Sequence, residues 1–358
     1  MGSSVTALAA RLVLSTEATI ARRLALNRHA AAAATIWPGA TITSVGSFAQ
    51  NTSLNGSDLD VVVDIPGQSY RREVAGKWAS MLRKELIAQR VTMDQSSTVI
   101  ANARVPILTY VDLESRIGVD VSFLPNSIVN TEYVKGELEL RPYMRTMLIL
   151  LKYWLKSRNM NKVYTGGLGS YALSCTVIGY FNVRKHTKAR KVTEELYDQW
   201  LTDQDIYHLL VDYLTFWTSQ WRYASDMLEP SEGVIYKKGS QGHCGGNRNK
   251  LLAIADPTDP KNNVTAGTSK IMELRRSMKL LKDKLLVAGP GITQTDLLEL
   301  LENTGKKFKD GKWAYNRKAS FKKARKSFPG RKSKGGAKML KDTTPGGTRQ
   351  PLPPLGSV

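Results

Sequence analysis

Residues 58–65 read DLDVVVDI, and the alternation in this stretch constrains the fold of the chain more than any other feature. Side chains alternate across a β-strand, so the leucine and the valines would enter a core while Asp58 and Asp60 project from the opposite face. The preceding residues, with Gly46 and Ser47 at their head, are rich in turn formers. The stretch therefore predicts a buried strand that presents two carboxylates on one face of a sheet.

The rest of the chain predicts a two-domain α+β protein. Strand patterns cover residues 40–45, 98–113 and 117–124, and helical periodicity covers residues 69–90. Pro106 suggests a sheet edge or a bulge within 98–113. From Arg141 onward, long helical patterns dominate. We therefore expect a mixed-sheet α/β domain over residues 38–135 and a mostly helical domain over residues 136–290.

The first 37 residues are rich in alanine and contain four arginines with one acid, Glu17. Such a composition is also found in mitochondrial transit peptides. However, the apolar residues recur at helical spacing up to the turn that precedes the first strand. We expect a packed helix over residues 1–37, with a targeting segment as the alternative.

The charge of the chain predicts a polyanionic partner. There are 52 Lys and Arg residues against 31 acids, a formal net charge of +21, and no apolar stretch approaches the ~20 residues that span a bilayer. The two cysteines lack the spacing of a zinc site or a disulfide framework. We therefore expect the partner to be a nucleic acid rather than a membrane.

Residues 291–358 form a basic segment that we expect to be largely disordered. Fifteen Lys and Arg residues stand against one acid between Lys306 and Lys341. Aromatic residues among them could stack on unpaired bases. A nuclear localisation signal, or a solvated tail without a specific target, would explain the same composition.

A third carboxylate would complete a two-metal site. In GVDVSF, Asp120 alternates with apolar residues and would project from a neighbouring strand. Three strand carboxylates can bind two Mg²⁺ or Mn²⁺ ions for phosphoryl transfer, and Gly46 and Ser47 could contact the phosphates. Alone, Asp-x-Asp is equally typical of a turn or a helix cap.

With these motifs, the chain resembles the DNA polymerase β-like nucleotidyltransferases, and among them the noncanonical poly(A) polymerases of the TRAMP type. Gly-Ser, Asp-x-Asp eleven residues later and Asp120 carry the resemblance, together with LILLKYWLKSRNMNKVYTGGLGSYAL and IADPTDPKNNVTAGT. It implies that residues 38–135 form the catalytic domain and 136–290 the central domain, with the N-terminal helix packed on the central domain. It also implies that Asp58, Asp60 and Asp120 bind metal and are catalytic.

The resemblance further implies the residues that bind the nucleotide. Lys152 and Lys156 lie four residues apart, on one face of a helix, where the family binds the triphosphate. Ser170 and Tyr171 match a helix N-terminus and the aromatic residue that stacks on the base. Asn262 and Asn263 lie in the nucleotide recognition motif, where asparagine favours ATP over UTP. The remaining predicted contacts are Gly46 and Ser47.

These features predict an enzyme that adds AMP from ATP to RNA 3′ ends. A terminal uridylyltransferase and an inactive RNA-binding scaffold are the alternatives. No RNA-recognition motif is present in the chain, and the resemblance implies a separate RNA-binding subunit, with a helicase as a further partner. The basic tail favours the nucleus, and the arginine-rich start keeps the mitochondrion as the alternative.

Overall fold

A mixed five-stranded sheet organises the N-terminal half of the protein. The computed structural model describes residues 4–103, 105–185, 203–239, 251–302, 307–309 and 312–314. The sheet order is β1-β2-β5-β4-β3. Strands β2 and β5 run parallel, and the other neighbouring pairs are antiparallel. The strands are β1 Thr41–Val45, β2 Leu59–Asp64, β3 Ser97–Ile100, β4 Ile107–Val111 and β5 Gly118–Ser122.

Two of the helices described in this half pack on one face of the sheet. The helices of this half are α1 Ser4–Leu12, α2 Thr16–Ile36, α3 Gly46–Ala49, α4 Arg72–Ala88 and α5 Asn126–Leu140. Helices α2 and α4 are the two that pack there, and they contact each other and the sheet. Leu59, Val61 and Val63 of β2 are buried with Leu82 and Leu86 of α4 in one core cluster. The even-numbered residues of β2 therefore face away from this core, as the alternation predicts.

The C-terminal half is mostly helical. Its helices are α6 Tyr143–Lys156, α7 Ser170–Lys185, α8 Asp203–Thr215, α9 Ile271–Ala288 and α10 Gln294–Glu302. Two small hairpins pair β6 Asp226–Glu229 with β7 Val234–Lys237, and β8 Ala255–Asp256 with β9 Asp259–Asn263. Short turns of 3-10 helix occur at Asp94–Ser96 and Val163–Thr165, and of π-helix at Phe216–Gln220. The α+β fold class is confirmed.

The single N-terminal helix expected over residues 1–37 is wrong in one respect, because the structure contains two helices. The break falls where Val13 pairs with Leu54 in an isolated bridge and where Ser15 caps α2 by accepting a hydrogen bond from the Ala18 amide at 3.2 Å. Helix α1 contacts the C-terminal helices α6, α8 and α10, whereas α2 contacts α4 and β1. It is therefore α1 that packs on the helical half.

Two other sequence boundaries differ from the structure. Residues 98–113 form the hairpin β3–β4 rather than one interrupted strand. The expected domain boundary at residues 135 and 136 lies inside α5. Thr131, Val134 and Leu138 are the buried residues of that helix, and they are too few to give a strong apolar pattern.

The predicted basic tail, residues 291–358, begins too early, because residues near its start form a helix. Residues 294–302 form α10, whose Leu297, Leu300 and Leu301 are buried. The chain divides into two units, Met1–Thr304 and Gly305–Val358. In the second unit, β10 Lys307–Lys309 pairs antiparallel with β11 Lys312–Ala314. Residues 315–358, where most of the predicted basic tail falls, lie outside the described residues. No helix in the described part of the chain is long and apolar enough to cross a membrane.

Candidate active site

The pairing of β2 with β5 brings two of the predicted carboxylates together. Asp60 and Asp120 are directly opposite each other in the parallel register. Both are half-buried, and both line a cleft of about 370 Å³ on the face of the sheet away from α2 and α4. Asp58, two residues before Asp60, is exposed and does not line this cleft. Its charge nevertheless acts on both of the other carboxyl groups.

Two glycines make room for the carboxylates. A Cβ atom on Gly46, which has φ +63°, would lie 2.8 Å from Asp60 Oδ2. A Cβ atom on Gly118, the first residue of β5, would lie 2.4 Å from Asp58 Oδ1. Both distances are shorter than van der Waals contact, so any larger residue would displace the carboxylate beside it.

The carboxylates repel one another in this partly buried site. Burial raises the pKa of Asp60 to about 7, and the charges of Asp120 and Asp58 add to the effect, while Lys152 opposes it. Burial and the Asp58 charge also raise the pKa of Asp120, against a hydrogen bond from Thr109. A cation between these groups would remove the repulsion.

The donor set suits a hard divalent cation such as Mg²⁺, because the side chains offer oxygen atoms. Within the described ranges, no three His, Cys, Asp or Glu side chains are arranged to hold an ion by themselves. Mg²⁺ is usually bound through one or two carboxylates together with water and substrate phosphates rather than in an all-protein cage. Asp58, Asp60 and Asp120 therefore fit a metal whose coordination is completed by a bound nucleotide.

Helix α3 brings Ser47 to the same cleft. Gly46 and Ser47 begin this short helix, where the sequence pattern indicated a loop, and both line the cleft. The Gly46 amide donates to Thr131 Oγ1 at 2.9 Å, so its backbone is held from α5. The Ser47 and Ser53 hydroxyl oxygens lie 2.9 Å apart.

The two predicted lysines lie in an adjoining pocket of about 50 Å³, which shares Ser47 and Ser170 with the main cleft. Lys152 Nζ donates to the Thr52 hydroxyl at 2.8 Å. Lys156 Nζ donates to the carbonyl oxygens of Asn55 and Gly56 at 2.9 and 3.1 Å. Both ammonium groups therefore hold the loop that joins Ser47 to Asp58, residues 51–57.

Burial disfavours the charged forms of these two lysines. It lowers the pKa of Lys152 to about 8, against the opposing attraction of Asp60. It also lowers the pKa of Lys156, where Asp58 acts in the opposite direction. An anionic ligand beside them would favour their charged forms, which makes this pocket suited to phosphate.

Tyr171 and Ser170, at the start of α7, complete the far wall of the cleft. The Tyr171 hydroxyl donates to Asp256 Oδ1 at 2.7 Å. Burial, with contributions from Cys175 and Asp256, raises the pKa of Tyr171 well above its usual value. The hydroxyl therefore stays protonated and fixes the ring beside the cleft.

The two asparagines of the predicted recognition motif do not line the cleft. Asn262 Nδ2 donates to Asp256 Oδ2 at 3.0 Å, which joins it to the group that holds Tyr171. Asn263 Oδ1 accepts from the Thr265 hydroxyl at 2.7 Å and from the amides of Thr265 and Ile254. Asn263 thus stabilises the β8–β9 hairpin, and the nucleotide contacts of both asparagines stay predictions.

Comparison with known proteins identifies the family. Residues 2–135 match the family model described as poly(A) RNA polymerase, mitochondrial-like, central palm domain. The chain is 32% identical over 260 residues to poly(A) RNA polymerase cid12 of Schizosaccharomyces pombe, a match that covers 70% of this chain and 71% of that protein. The chain belongs to the noncanonical poly(A) RNA polymerase family.

Other members of this family are longer. Poly(A) RNA polymerase CID14 of Cryptococcus neoformans is 29% identical over 245 residues, which cover 68% of this chain and 30% of that protein. The chain spans 30 to 40% of the length of this relative and of two others.

Solved structures agree in fold. The polymerase core of TRAMP, an RNA surveillance complex, has a TM-score of 0.68 at 24% identity and covers 84% of this chain and 93% of that one. The Cid1 poly(U) polymerase has a TM-score of 0.66 at 20% identity, covering 82% of this chain and 97% of that one. The predicted family resemblance is confirmed.

Sequence reasoning missed several residues of this candidate site. Gly118 was not singled out, although it lies two residues before Asp120 on the same strand face. Asp256, which the sequence pattern marks only as part of the motif IADPTDPKNNVTAGT, is buried and accepts hydrogen bonds from three side chains. Asn130 and Thr131 of α5 line the cleft, and no local pattern identified that helix.

Proposed function

We propose that the protein is a template-independent RNA nucleotidyltransferase that adds AMP from ATP to RNA 3′ ends. The observation that carries this proposal is the placement of Asp60 and Asp120 on paired strands, with Asp58 acting on both, beside Ser47, the buried Lys152 and the half-buried Lys156. This arrangement suits in-line phosphoryl transfer, where positioning and charge neutralisation provide most of the catalysis.

Asp58, Asp60 and Asp120 would bind Mg²⁺ or Mn²⁺. When bound, the ions supply neutralisation of the triphosphate charge and activation of the attacking hydroxyl. In the proposed reaction, Asp120 orients the RNA 3′ hydroxyl and assists its deprotonation. The hydroxyl oxygen forms a bond to the α-phosphorus of ATP, the bond from the α-phosphorus to the oxygen that bridges it to the β-phosphate breaks, and pyrophosphate leaves with that oxygen.

The remaining side chains would bind the nucleotide. Ser47, Lys152 and Lys156 would donate to the triphosphate, since all three meet at the pocket next to the cleft. Ser170 would donate to the nucleotide, and the Tyr171 ring would stack on the base.

Asn262 supports adenine as the base. Its amide is coupled through Asp256 to Tyr171, and an amide offers both the donor and the acceptor that the adenine edge requires. Asn263 is a second amide in the same hairpin. Uridylyl transfer is the alternative, because the fold is shared with a poly(U) polymerase.

Partners and location belong to the same proposal. A net charge of +21 suits RNA, and the fold is shared with the polymerase core of an RNA surveillance complex. We propose a role in RNA surveillance with a separate RNA-binding subunit and a helicase, in the nucleus, with the mitochondrion as the alternative. The basic tail would add salt-sensitive affinity for RNA.

The nucleotide preference is tested by extending a labelled oligoadenylate primer with Mg²⁺ and one nucleoside triphosphate at a time. We expect ladders with ATP that exceed those with UTP, CTP and GTP by about tenfold or more, the size of effect that one well-made base contact gives. Ladders mainly with UTP would establish the uridylyl alternative. No product with any nucleotide, with or without added RNA-binding partner, would favour the inactive scaffold.

A further inference from the structure

Arg22 of α2 is buried next to the proposed metal site although the proposed chemistry assigns it no part. Its side chain is 4% exposed. One guanidinium nitrogen donates to the Ala18 carbonyl oxygen of its own helix at 3.1 Å. The other donates to the Ser57 carbonyl oxygen at 2.5 Å, across 35 residues of sequence. That carbonyl belongs to the peptide bond that joins Ser57 to Asp58.

Burial of an arginine at this position is unfavourable unless other interactions offset the cost of desolvating its guanidinium group. Its Nε atom is buried and has no hydrogen-bond partner among the described residues. Burial lowers the pKa of Arg22, and the Asp58 charge acts in the opposite direction. Since a buried guanidinium is costly to desolvate, the Ser57 carbonyl and the Asp58 charge are the compensating interactions.

Arg22 is also the last side chain to hold the loop before Asp58. Lys152 holds Thr52, and Lys156 holds Asn55 and Gly56. Beyond them, the Asp58 side chain is exposed and lies against the bare backbone of Gly118. The direction in which the Asp58 carboxylate points therefore depends on how well its peptide group is fixed.

We propose that Arg22 is a positioning residue for Asp58. By holding the Ser57 carbonyl oxygen, it fixes the backbone from which the Asp58 carboxylate reaches the divalent-metal site. Helix α2, which belongs to the N-terminal segment rather than to the sheet, thus helps to set the affinity for the metal. This inference rests on the proposed function only in taking Asp58 as a metal ligand.

The first test measures the loop itself, without metal or nucleotide. In the full chain, Arg22→Ala should accelerate amide hydrogen exchange in peptides that cover residues 54–60 by about tenfold or more, because that segment loses an anchoring hydrogen bond. Arg23→Ala is the matched control, since Arg23 is the adjacent, exposed arginine, and it should leave exchange unchanged. Unchanged exchange in Arg22→Ala would overturn the proposal.

The second test measures metal affinity directly, by electron paramagnetic resonance of free Mn²⁺ with α,β-methylene-ATP present. Loss of a supporting group around a metal typically weakens binding ~10-fold to 100-fold, so we expect about tenfold weaker Mn²⁺ binding in Arg22→Ala and none of this loss in Arg23→Ala. Arg22→Lys, which keeps the charge but not the two-pronged geometry, should fall between them. Ethylguanidinium should partly restore binding to Arg22→Ala.

The outcomes distinguish a positioning role of Arg22 from a purely electrostatic effect of its positive charge. Removing a cation near Asp58 without disturbing its position would tighten Mn²⁺ binding, so tighter or unchanged binding in Arg22→Ala would overturn the proposal. If Arg22→Ala does not fold, Arg22→Lys carries both tests, and wild-type exchange and affinity in that variant would overturn it. Failure of the wild-type protein to bind Mn²⁺ would instead refute the proposed metal site, and with it the role of Arg22 there, while exchange still reports the anchor.

Discussion

Asp60 combines the properties that the proposed chemistry needs with a cost to the unliganded fold. Asp60 lies opposite Asp120 in the strand register, and burial together with that neighbour raises the pKa of its carboxyl group to about 7. Carboxylates at such positions are a frequent mark of functional sites, because a packed fold gains nothing from their repulsion. The raised pKa of Asp60 can be tested without substrate.

The pH dependence of the free energy of unfolding should report the raised pKa of Asp60. Its pKa is about 7 in the folded chain against an ordinary value of 3.8, so the folded state keeps a proton that the unfolded state has released. The stability that this proton provides is present below about pH 4 and is lost as the pH rises to about 7. Asp60→Asn should therefore melt a few degrees above wild type at pH 8 in chelator, and the gap should close toward pH 4.

Asp64→Asn provides the control for the melting experiment. Asp64 ends the same strand and is exposed, so its substitution should leave the pH profile of the melting temperature unchanged. The groups that face Asp60 are Asp58, Asp120 and Lys152, and all three are intact in both variants. Parallel profiles for Asp60→Asn and wild type between pH 4 and pH 8 would refute the raised pKa.

Gly118 offers a second test at the residue scale. In Gly118→Ala the new methyl group would meet Asp58 Oδ1 at 2.4 Å, so the carboxylate must move. A displacement of about 1 Å at a reacting centre can lower the rate ~100-fold, and we expect a rate of AMP addition lower by about tenfold to a hundredfold, with RNA binding unchanged.

Gly136→Ala controls for the loss of glycine itself, because nothing lies within 4 Å of a Cβ atom at Gly136 on α5. Its rate should equal that of wild type. A Gly118→Ala protein that is as active as Gly136→Ala would mean that Asp58 tolerates displacement and is not a metal ligand.

The sequence predicted the carboxylates better than their surroundings. Asp60 and Asp120 follow strand parity, which depends on local alternation alone. Asp58, expected on the same strand, precedes β2 and does not line the cleft. Gly118, Asp256 and Arg22 act through contacts with residues far away in the sequence, such as the contact between Arg22 and Ser57. Such contacts exist only once the chain has folded, so no local pattern could identify them.

Helix α6 connects the helical half to the proposed phosphate site. Its apolar residues are buried along most of its length, and Lys152 and Lys156 extend from one side toward the loop 51–57. Residues four positions apart lie on one face of a helix, so the helix places both charges beside Ser47. The sequence predicted this helix because the helical periodicity of α6 is strong, whereas the phosphate-binding role of its two lysines came from the family resemblance and stays a prediction.

Lys156→Ala should weaken nucleotide binding. A hydrogen bond to a charged group is worth about 1.5 to 3 kcal/mol, so we expect the KM for ATP to rise about tenfold or more, with a smaller change in kcat. Lys135→Ala is the control, because Lys135 on α5 pairs with Glu132 at the surface. Equal KM values in the two variants would remove Lys156 from the triphosphate site.

Two other helices, α5 and α10, were missed by the sequence prediction. Helix α5 buries only three side chains, so its pattern is weak. Helix α10 was assigned to the tail because the basic residues that follow it dominate the composition, although Leu297, Leu300 and Leu301 show the spacing of a buried face. In both cases tertiary packing, rather than local preference, stabilises the helix.

At the scale of the whole molecule, the cleft is made by the sheet and the helical half together. Asp60, Asp120 and Ser47 come from the sheet and its connections, and Ser170 and Tyr171 come from α7. Hydrogen bonds from Lys152 and Lys156 to the loop 51–57 join the two halves at the cleft. Our central proposal is therefore that this cleft, with Asp60 and Asp120 in its wall and Asp58 beside it, transfers AMP to RNA.

That claim is tested most directly by Mg²⁺-dependent extension of a labelled oligoadenylate primer with ATP. Wild type and Asp60→Ala are compared, with Asp64→Ala as the control and primer binding measured for all three. We predict ladders from wild type and Asp64→Ala, no ladder from Asp60→Ala, and similar primer affinity throughout. Turnover by Asp60→Ala at the rate of Asp64→Ala would contradict the account.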